Sequence, residues 1–364
     1  MKHWHESRQV FEWIATLDAE QRRGALATVV SVRGSAYRHE GAKLAVAEDG
    51  ATVGNVSGGC LEGDVREVAL QVIASGVPQL RTYCSSSDHV HAWDLGVGCE
   101  GEVKIYVEPA ESLSMIETAL FDASTSFAVC RFVDESPASR SPLRLVVTLE
   151  GHDGRLGERG PDLLFAARVR EMLAAGASPQ LIESDGHRIF VDIYAPPPHL
   201  LIVSAGNDAR PLARFAVETG FRVTVVDHRP GLLQADRFPS AARLVDSGAM
   251  ELAARVVCDA NTFAVLMTHN FADDEQYLRA LVATPLPYLG ILGPRQRTDR
   301  LVQNVGASVP FDTSRIFGPV GLDVGTDGAE QVALAVVAEM LAVRGGRDPK
   351  SLRDRAAPIH AESG

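Results

Sequence analysis

At the usual domain size of roughly 100–200 residues, a chain of 364 residues argues for about two domains. With 46% hydrophobic and 23% charged residues it has the composition of an ordinary globular protein, which excludes a disordered, collagenous or low-complexity chain. A formal net charge of −12 with no basic stripe speaks against nucleic acid as a partner, because phosphate neutralisation needs a surplus of Lys and Arg on at least one face.

Val10, Phe11, Ile14 and Leu17 recur at helical spacing, so an amphipathic helix is expected before a strand-like run at 25–32. A glycine-dense region from Gly34 to Gly63 follows, interrupted by a short strand at 43–47. It ends in a helix carrying Leu61, Val65, Val68, Val72 and Ile73. Strands are expected at 79–83 and 103–107, with a loop between them. The pattern from 134 to 198 is mixed, with a helix near 163–174 and a hairpin around Asp185-Gly186. The proline run 196–198, lacking backbone donors and with fixed φ, suits a stiff connector. Beyond it strands (200–203, 222–226, 262–268, 288–292) alternate with helices (209–218, 274–282), the signature of a parallel sheet with crossovers, and a last helix runs over 330–343. The expected organisation is α/β: an N-terminal domain at 1–133, an intermediate segment with Pro-rich linker at 134–198, a Rossmann-like parallel-sheet domain at 199–345 and a charged, loosely held tail at 346–364.

No window approaches the roughly 18–20 apolar residues of a membrane span, and the opening MKHWHESRQV lacks the apolar core of a signal peptide, so no membrane partner and a cytoplasmic location are expected. The five cysteines, Cys60, Cys84, Cys99, Cys130 and Cys258, are odd in number and scattered, which fits free thiols in a reducing compartment.

Four places carry candidate chemistry. In the run 199–212 a strand, a tight turn and a helix start stand where a Rossmann unit binds a dinucleotide, and Asp227 follows Gly206 by 21 residues, near the expected spacing of the ribose-binding acid. Of the three fingerprint glycines only Gly206 is present; Ser204 and Ala209 replace the others, and Ser204 is expected to crowd a pyrophosphate. In Gly58-Gly59-Cys60-Leu61-Glu62 a flexible turn delivers a cysteine to a helix start, whose dipole favours a thiolate suited to nucleophilic or metal-ligating work; the alternative is a structural cysteine beside a turn. Thr268-His269, with Arg295 and Arg297, follows strands on the carboxyl edge where open α/β sheets bind ligands, and Arg229 lies beside the ribose acid. Cys84, His89, His91 and Cys99 offer zinc-binding chemistry, but their C-x4-H-x-H-x7-C spacing is not a common structural zinc pattern.

Across these blocks the sequence resembles the XdhC/CoxI family of accessory proteins for xanthine dehydrogenase and related molybdenum hydroxylases. The resemblance rests on Arg33-Gly-Ser35, Gly41-Ala-Lys43, 54–62, 96–108, 206–211, 226–230, 237–239, Thr268-His269, 288–295 and 318–323, and it leaves 110–195 without alignable blocks. Asn207 and Ser204 depart from the histidine and glycine of many relatives. The resemblance implies a carrier rather than a turnover enzyme. Such a carrier binds molybdenum cofactor (molybdopterin), supports exchange of an oxo for a sulfido ligand with a cysteine desulfurase, and inserts the product into an apo-hydroxylase. It places Cys60 nearest the metal. Gly58, Gly59, Gly206, Asn207, Asp208, Asp227, Arg229, Thr268, His269 and Arg295 are then the binding residues, and Cys60, Glu62 and His269 the chemically active ones. A homodimer is the expected assembly. The competing readings are an NAD(P)-dependent oxidoreductase using Asp227 for ribose and Cys60 or His269 for chemistry, and an interaction module without a ligand.

Overall fold

The computed structural model describes residues 2–34, 36–84, 101–133, 144–156, 163–184, 186–239, 241 and 243–354. The chain divides into two compact units, Met1–Pro196 and Pro197–Gly364.

Unit 1 contains, in chain order, α1 (Lys2–Ala19), β1 (Gly24–Gly34), β2 (Lys43–Ala47), β3 (Thr52–Gly54), α2 (Glu62–Ser75), β4 (Gln79–Cys84), β5 (Gly101–Pro109), α3 (Met115–Asp122), β6 (Phe127–Phe132), β7 (Leu145–Thr148), β8 (His152–Gly154), α4 (Leu163–Ala174), β9 (Gln180–Ser184) and β10 (His187–Tyr194). They build two antiparallel five-stranded sheets, ordered β3-β2-β1-β5-β4 and β8-β7-β6-β10-β9. The segment 134–198, read as intermediate with a helix near 163–174 and a hairpin around 185–186, supplies β7 to β10 and α4 to a sheet whose middle strand, β6, lies before residue 134. One of its pairings, β6 with β10, joins strands about sixty positions apart, which no local pattern reports.

Apolar faces explain the layers. Val65, Val68, Val72 and Ile73 of α2 pack on the first sheet, and Phe165, Val169 and Leu173 of α4 on the second. Trp4, Phe11 and Ile14 of α1 and Phe121 of α3 fill the space between Leu26 and Ala45 of one sheet and Phe127, Val129 and Tyr194 of the other. At that junction Lys43 Nζ donates to Asp192 Oδ2 at 2.6 Å, with both side chains only 2% exposed. Tyr194 donates to the same oxygen at 2.5 Å, and His3 Nε2 lies 3.1 Å from the other. Because a carboxylate only accepts, His3 carries its proton on Nε2, and Nδ1 accepts from Ser7 Oγ at 3.2 Å. Burial opposes ionisation of Asp192, but Lys43 and His3 hold its carboxyl well below the usual range.

Unit 2 contains β11 (His199–Val203), α5 (Ala209–Glu218), β12 (Arg222–Asp227), β13 (Arg243–Asp246), α6 (Leu252–Arg255), β14 (Thr262–Leu266), α7 (Phe271–Leu281), β15 (Tyr288–Ile291), α8 (Arg295–Gly306), β16 (Ile316–Phe317) and α9 (Ala329–Arg344). Its six strands are all parallel in the order β13-β12-β11-β14-β15-β16, the Rossmann order, with the switch point between β11 and β14. The edge strands β13 and β16, of four and two residues, are too short for a period to show. Among the described residues no helix is long and apolar enough to cross a membrane.

The buried polar groups set how stability responds to substitution and to pH. Asp192→Asn is expected to destabilise unit 1 by about 3–5 kcal/mol because it strands the Lys43 charge, whereas the double variant Lys43→Met, Asp192→Leu should lose much less; a urea series in which both cost the same contradicts this. His199, whose Nε2 is 2.9 Å from Thr224 Oγ1, is pushed down to about 4 by burial and by Arg222. Its folded value lies below its unfolded one, so its contribution is complete above about pH 6.5 and is lost as the pH falls toward 4. Chemical denaturation at pH 6.5 and 4.5 should show that fall, and a smaller one in His199→Gln.

Candidate functional site

In unit 1 the candidate residues lie on the loop entering α2. Ser57 Oγ accepts from the amides of Gly59 at 3.2 Å and Leu61 at 3.1 Å and from Cys60 Sγ at 3.6 Å. The same hydroxyl donates to Glu62 Oε2, while Glu62 Oε1 accepts from the amides of Ser57 at 2.8 Å and Val56 at 3.2 Å. Burial opposes ionisation of Glu62, but these bonds hold its carboxyl below the ordinary value. Gly59 has φ +113° and open space where a Cβ would stand, and Gly58 packs against the Tyr37 ring. Cys60, half-buried, precedes α2 by two positions, and the first turn of that helix carries Glu62 and Asp64. Their negative charge opposes the dipole expected to favour a thiolate. Glu62 is thus a loop-forming carboxylate joined to the thiol through Ser57, a residue that sequence reasoning missed because Ser57 and Glu62 do not have capping-box spacing.

In unit 2 the turn after β11 is closed by its own side chains. Ser204 adopts φ +145°, a glycine conformation, and its Oγ accepts from Gly206 N at 3.0 Å. Asp227, 3% exposed, accepts at Oδ2 from Ala205 N (2.7 Å) and Arg229 Nη2 (2.8 Å), and at Oδ1 from Arg229 N and Nε (both 2.9 Å). Four donors exhaust its lone pairs, so Asp227 has none left for the ribose expected of it while it is paired with Arg229. Asn207 Oδ1 accepts from Arg237 at 3.1 Å.

The carboxyl edge of β14 holds a second buried, paired aspartate. Asp274, fully buried, accepts from Thr268 Oγ1 at 2.6 Å and from Arg297 Nη1 at 2.8 Å, so Thr268 and Arg297 are structural partners. Arg295 is exposed at the start of α8. His269, at φ +60°, points Nε2 to Asp208 Oδ2 at 2.9 Å. Asp208 in turn lines a cavity of about 280 Å³, walled by the ends of β14 and β15 and the first turns of α9. The helix over 330–343 was expected from the sequence, but not that its first turns wall this cavity. Among the described residues no His, Cys, Asp and Glu cluster could hold a metal. Cys84 is exposed with Sγ 3.9 Å from Glu102 Oε2, and His89, His91 and Cys99 lie outside the described residues.

The parallel six-stranded order and its switch-point turn define a Rossmann-type protein with an antiparallel N-terminal unit. Residues 200–340 match the XdhC Rossmann domain and residues 17–84 the XdhC and CoxI family. The chain is 30% identical to a probable xanthine dehydrogenase subunit of Bacillus subtilis (strain 168), over 89% of this chain and 94% of that one. It is 26% identical to the molybdenum cofactor insertion chaperone PaoD of Escherichia coli (strain K12), over 94% and 93%. A crystal structure named a xanthine dehydrogenase from Bacillus halodurans superposes with a TM-score of 0.75 at 29% identity, covering 93% of this chain and 96% of that one. The chain belongs to the XdhC/CoxI family.

Since Asp227 and the amides of Ala205 and Gly206 are already taken, NADH fluorescence titration is expected to show no saturation below about 1 mM. A micromolar Kd would show that the Asp227–Arg229 pair yields to ribose.

Proposed function

We propose that this chain carries molybdenum cofactor and delivers it to an apo molybdenum hydroxylase of the xanthine dehydrogenase type. A cysteine desulfurase serves as sulfur-donating partner, and two copies of the chain form the working assembly. The observation that carries the reading is the end-to-end similarity to a molybdenum cofactor insertion chaperone, 26% over 94% of the chain. The Cys60 loop fits such a cargo. Its half-buried sulfur is a soft ligand suited to a molybdenum centre, and Gly59 leaves space for a close backbone approach.

The loop holds the thiol in place. Cys60 Sγ donates to Ser57 Oγ, which donates to the Glu62 carboxylate, and Glu62 closes the loop through the Val56 and Ser57 amides. Cys60 would hold the molybdenum of a bound cargo as a soft sulfur ligand. The chain turns over no substrate in this role: it binds, shelters and releases.

Anaerobic incubation with freshly released cofactor, gel filtration, and assay of molybdenum and of oxidised-pterin fluorescence in the protein peak test the proposal. Both are expected near one per chain and lost in Cys60→Ala, with Glu62→Gln retaining less than wild type. Absence of both from the wild-type peak overturns the carrier reading.

A further inference from the structure

The unit 2 cavity has a character unlike that of a phosphate cradle. Val265, Met267, Leu292, Leu212, Val320 and Val332 make its walls apolar, and Asp208 is the one ionisable residue lining it among the described residues. At about 280 Å³ it falls at the lower end of the roughly 300–1,000 Å³ range of small-molecule sites, room for a fused two-ring heterocycle and not for a dinucleotide. Two of the neighbouring amides are already bonded, Gly206 N to Ser204 Oγ and Ala205 N to Asp227. A carboxylate at the mouth repels phosphate and accepts hydrogen bonds only.

Asp208 is positioned for recognition. It starts α5 without capping it, and its Oδ2 is held by His269 Nε2 at 2.9 Å. His269 does this from a left-handed backbone conformation that costs a non-glycine residue energy, the kind of strain that concentrates at ligand sites. Each carboxylate oxygen has two lone pairs, so the bond from His269 leaves both oxygens able to accept from a pair of adjacent N–H groups.

We infer that the cavity beside Asp208 binds a flat fused-ring heterocycle through its 2-aminopyrimidin-4-one edge, the paired N–H face common to pterins and guanine. Adenine presents a donor beside an acceptor on the equivalent edge and is mismatched to a carboxylate. Assigning the heterocycle to the pterin of the cargo rests on the carrier reading above; recognition of the edge does not. His269 acts here as a positioning residue for Asp208.

The test is a fluorescence titration of the full chain with 2-amino-4-oxopteridine, with guanosine and adenosine as competitors. Saturable binding below about 100 μM is expected, with adenosine at least tenfold weaker than either aminopyrimidinone, a difference of about 1.4 kcal/mol. Guanosine outcompeting the pteridine identifies a nucleoside as the source of the edge, and the reverse order identifies a pterin. Asp208→Asn should weaken binding at least tenfold without moving the urea midpoint, since the side chain is part-exposed and caps nothing. Val332→Phe, which fills the cavity from a part-buried position, should abolish it. No binding by wild type at 1 mM, equal binding of adenosine, or binding untouched by both variants overturns the inference. Stoichiometric molybdenum in the carrier experiment with no pteridine binding here refutes this site alone, and pteridine binding with no molybdenum retention refutes the carrier alone.

Discussion

A carboxylate taken out of water must be met by donors on nearly every lone pair, and three buried aspartates impose that constraint on this protein. Asp192 is met by its strand neighbour Tyr194 and by Lys43 and His3, two residues from distant parts of the sequence, and so ties α1, β2 and β10 together where the two sheets of unit 1 share a core. Asp227 is met by Ala205 and Arg229, which closes the turn after β11. Asp274 is met by Thr268 and Arg297, which joins the end of β14 to the starts of α7 and α8. In each case the acid sets a backbone segment that aromatic and aliphatic packing alone would leave free to slide.

The same constraint decides what the Rossmann unit can hold. Strand order places a switch point between β11 and β14, but a switch point binds phosphate only through unoccupied amides. Here Ser204 spends one of them. Its φ of +145° costs a residue with a Cβ about 1–3 kcal/mol, and the bond from Gly206 N returns about 1 kcal/mol. A glycine would sit there without strain, so the serine gives up stability and in exchange shuts the turn. The apolar cavity further along the same edge, with Asp208 and His269 at its mouth, is open to a ligand.

Much of this was legible in the residues. The helical spacing of Val10, Phe11, Ile14 and Leu17, the short apolar strand at 43–47 and the alternation after the proline run all correspond to observed elements, because each buries a face whose period is written locally. The glycine replaced by Ser204 was legible too, and so was the carboxyl-edge position of His269. The second sheet of unit 1 was not: β6 pairs with β10, about sixty positions on, and β7 has four residues, so neither announces its neighbours. The pairings of Asp227 with Arg229 and of Asp274 with Arg297 were not legible for a related reason. Spacing says where an acid or a base stands along the chain, not which opposite charge folds back onto it.

By itself, then, the sequence determined the α/β class, the Rossmann alternation, the place of the Cys60 turn and the family, since these depend on residue types at fixed local offsets. Tertiary structure alone decided that β6 to β10 join in one sheet, that Ser57 links Cys60 to Glu62, that Asp227 is saturated and that Asp208 faces an apolar cavity. The reason is physical: a buried polar group is defined by the partner that satisfies it, and whether that partner is near in the chain, as Arg229 is to Asp227, or far, as Lys43 is from Asp192, is decided by the folded backbone.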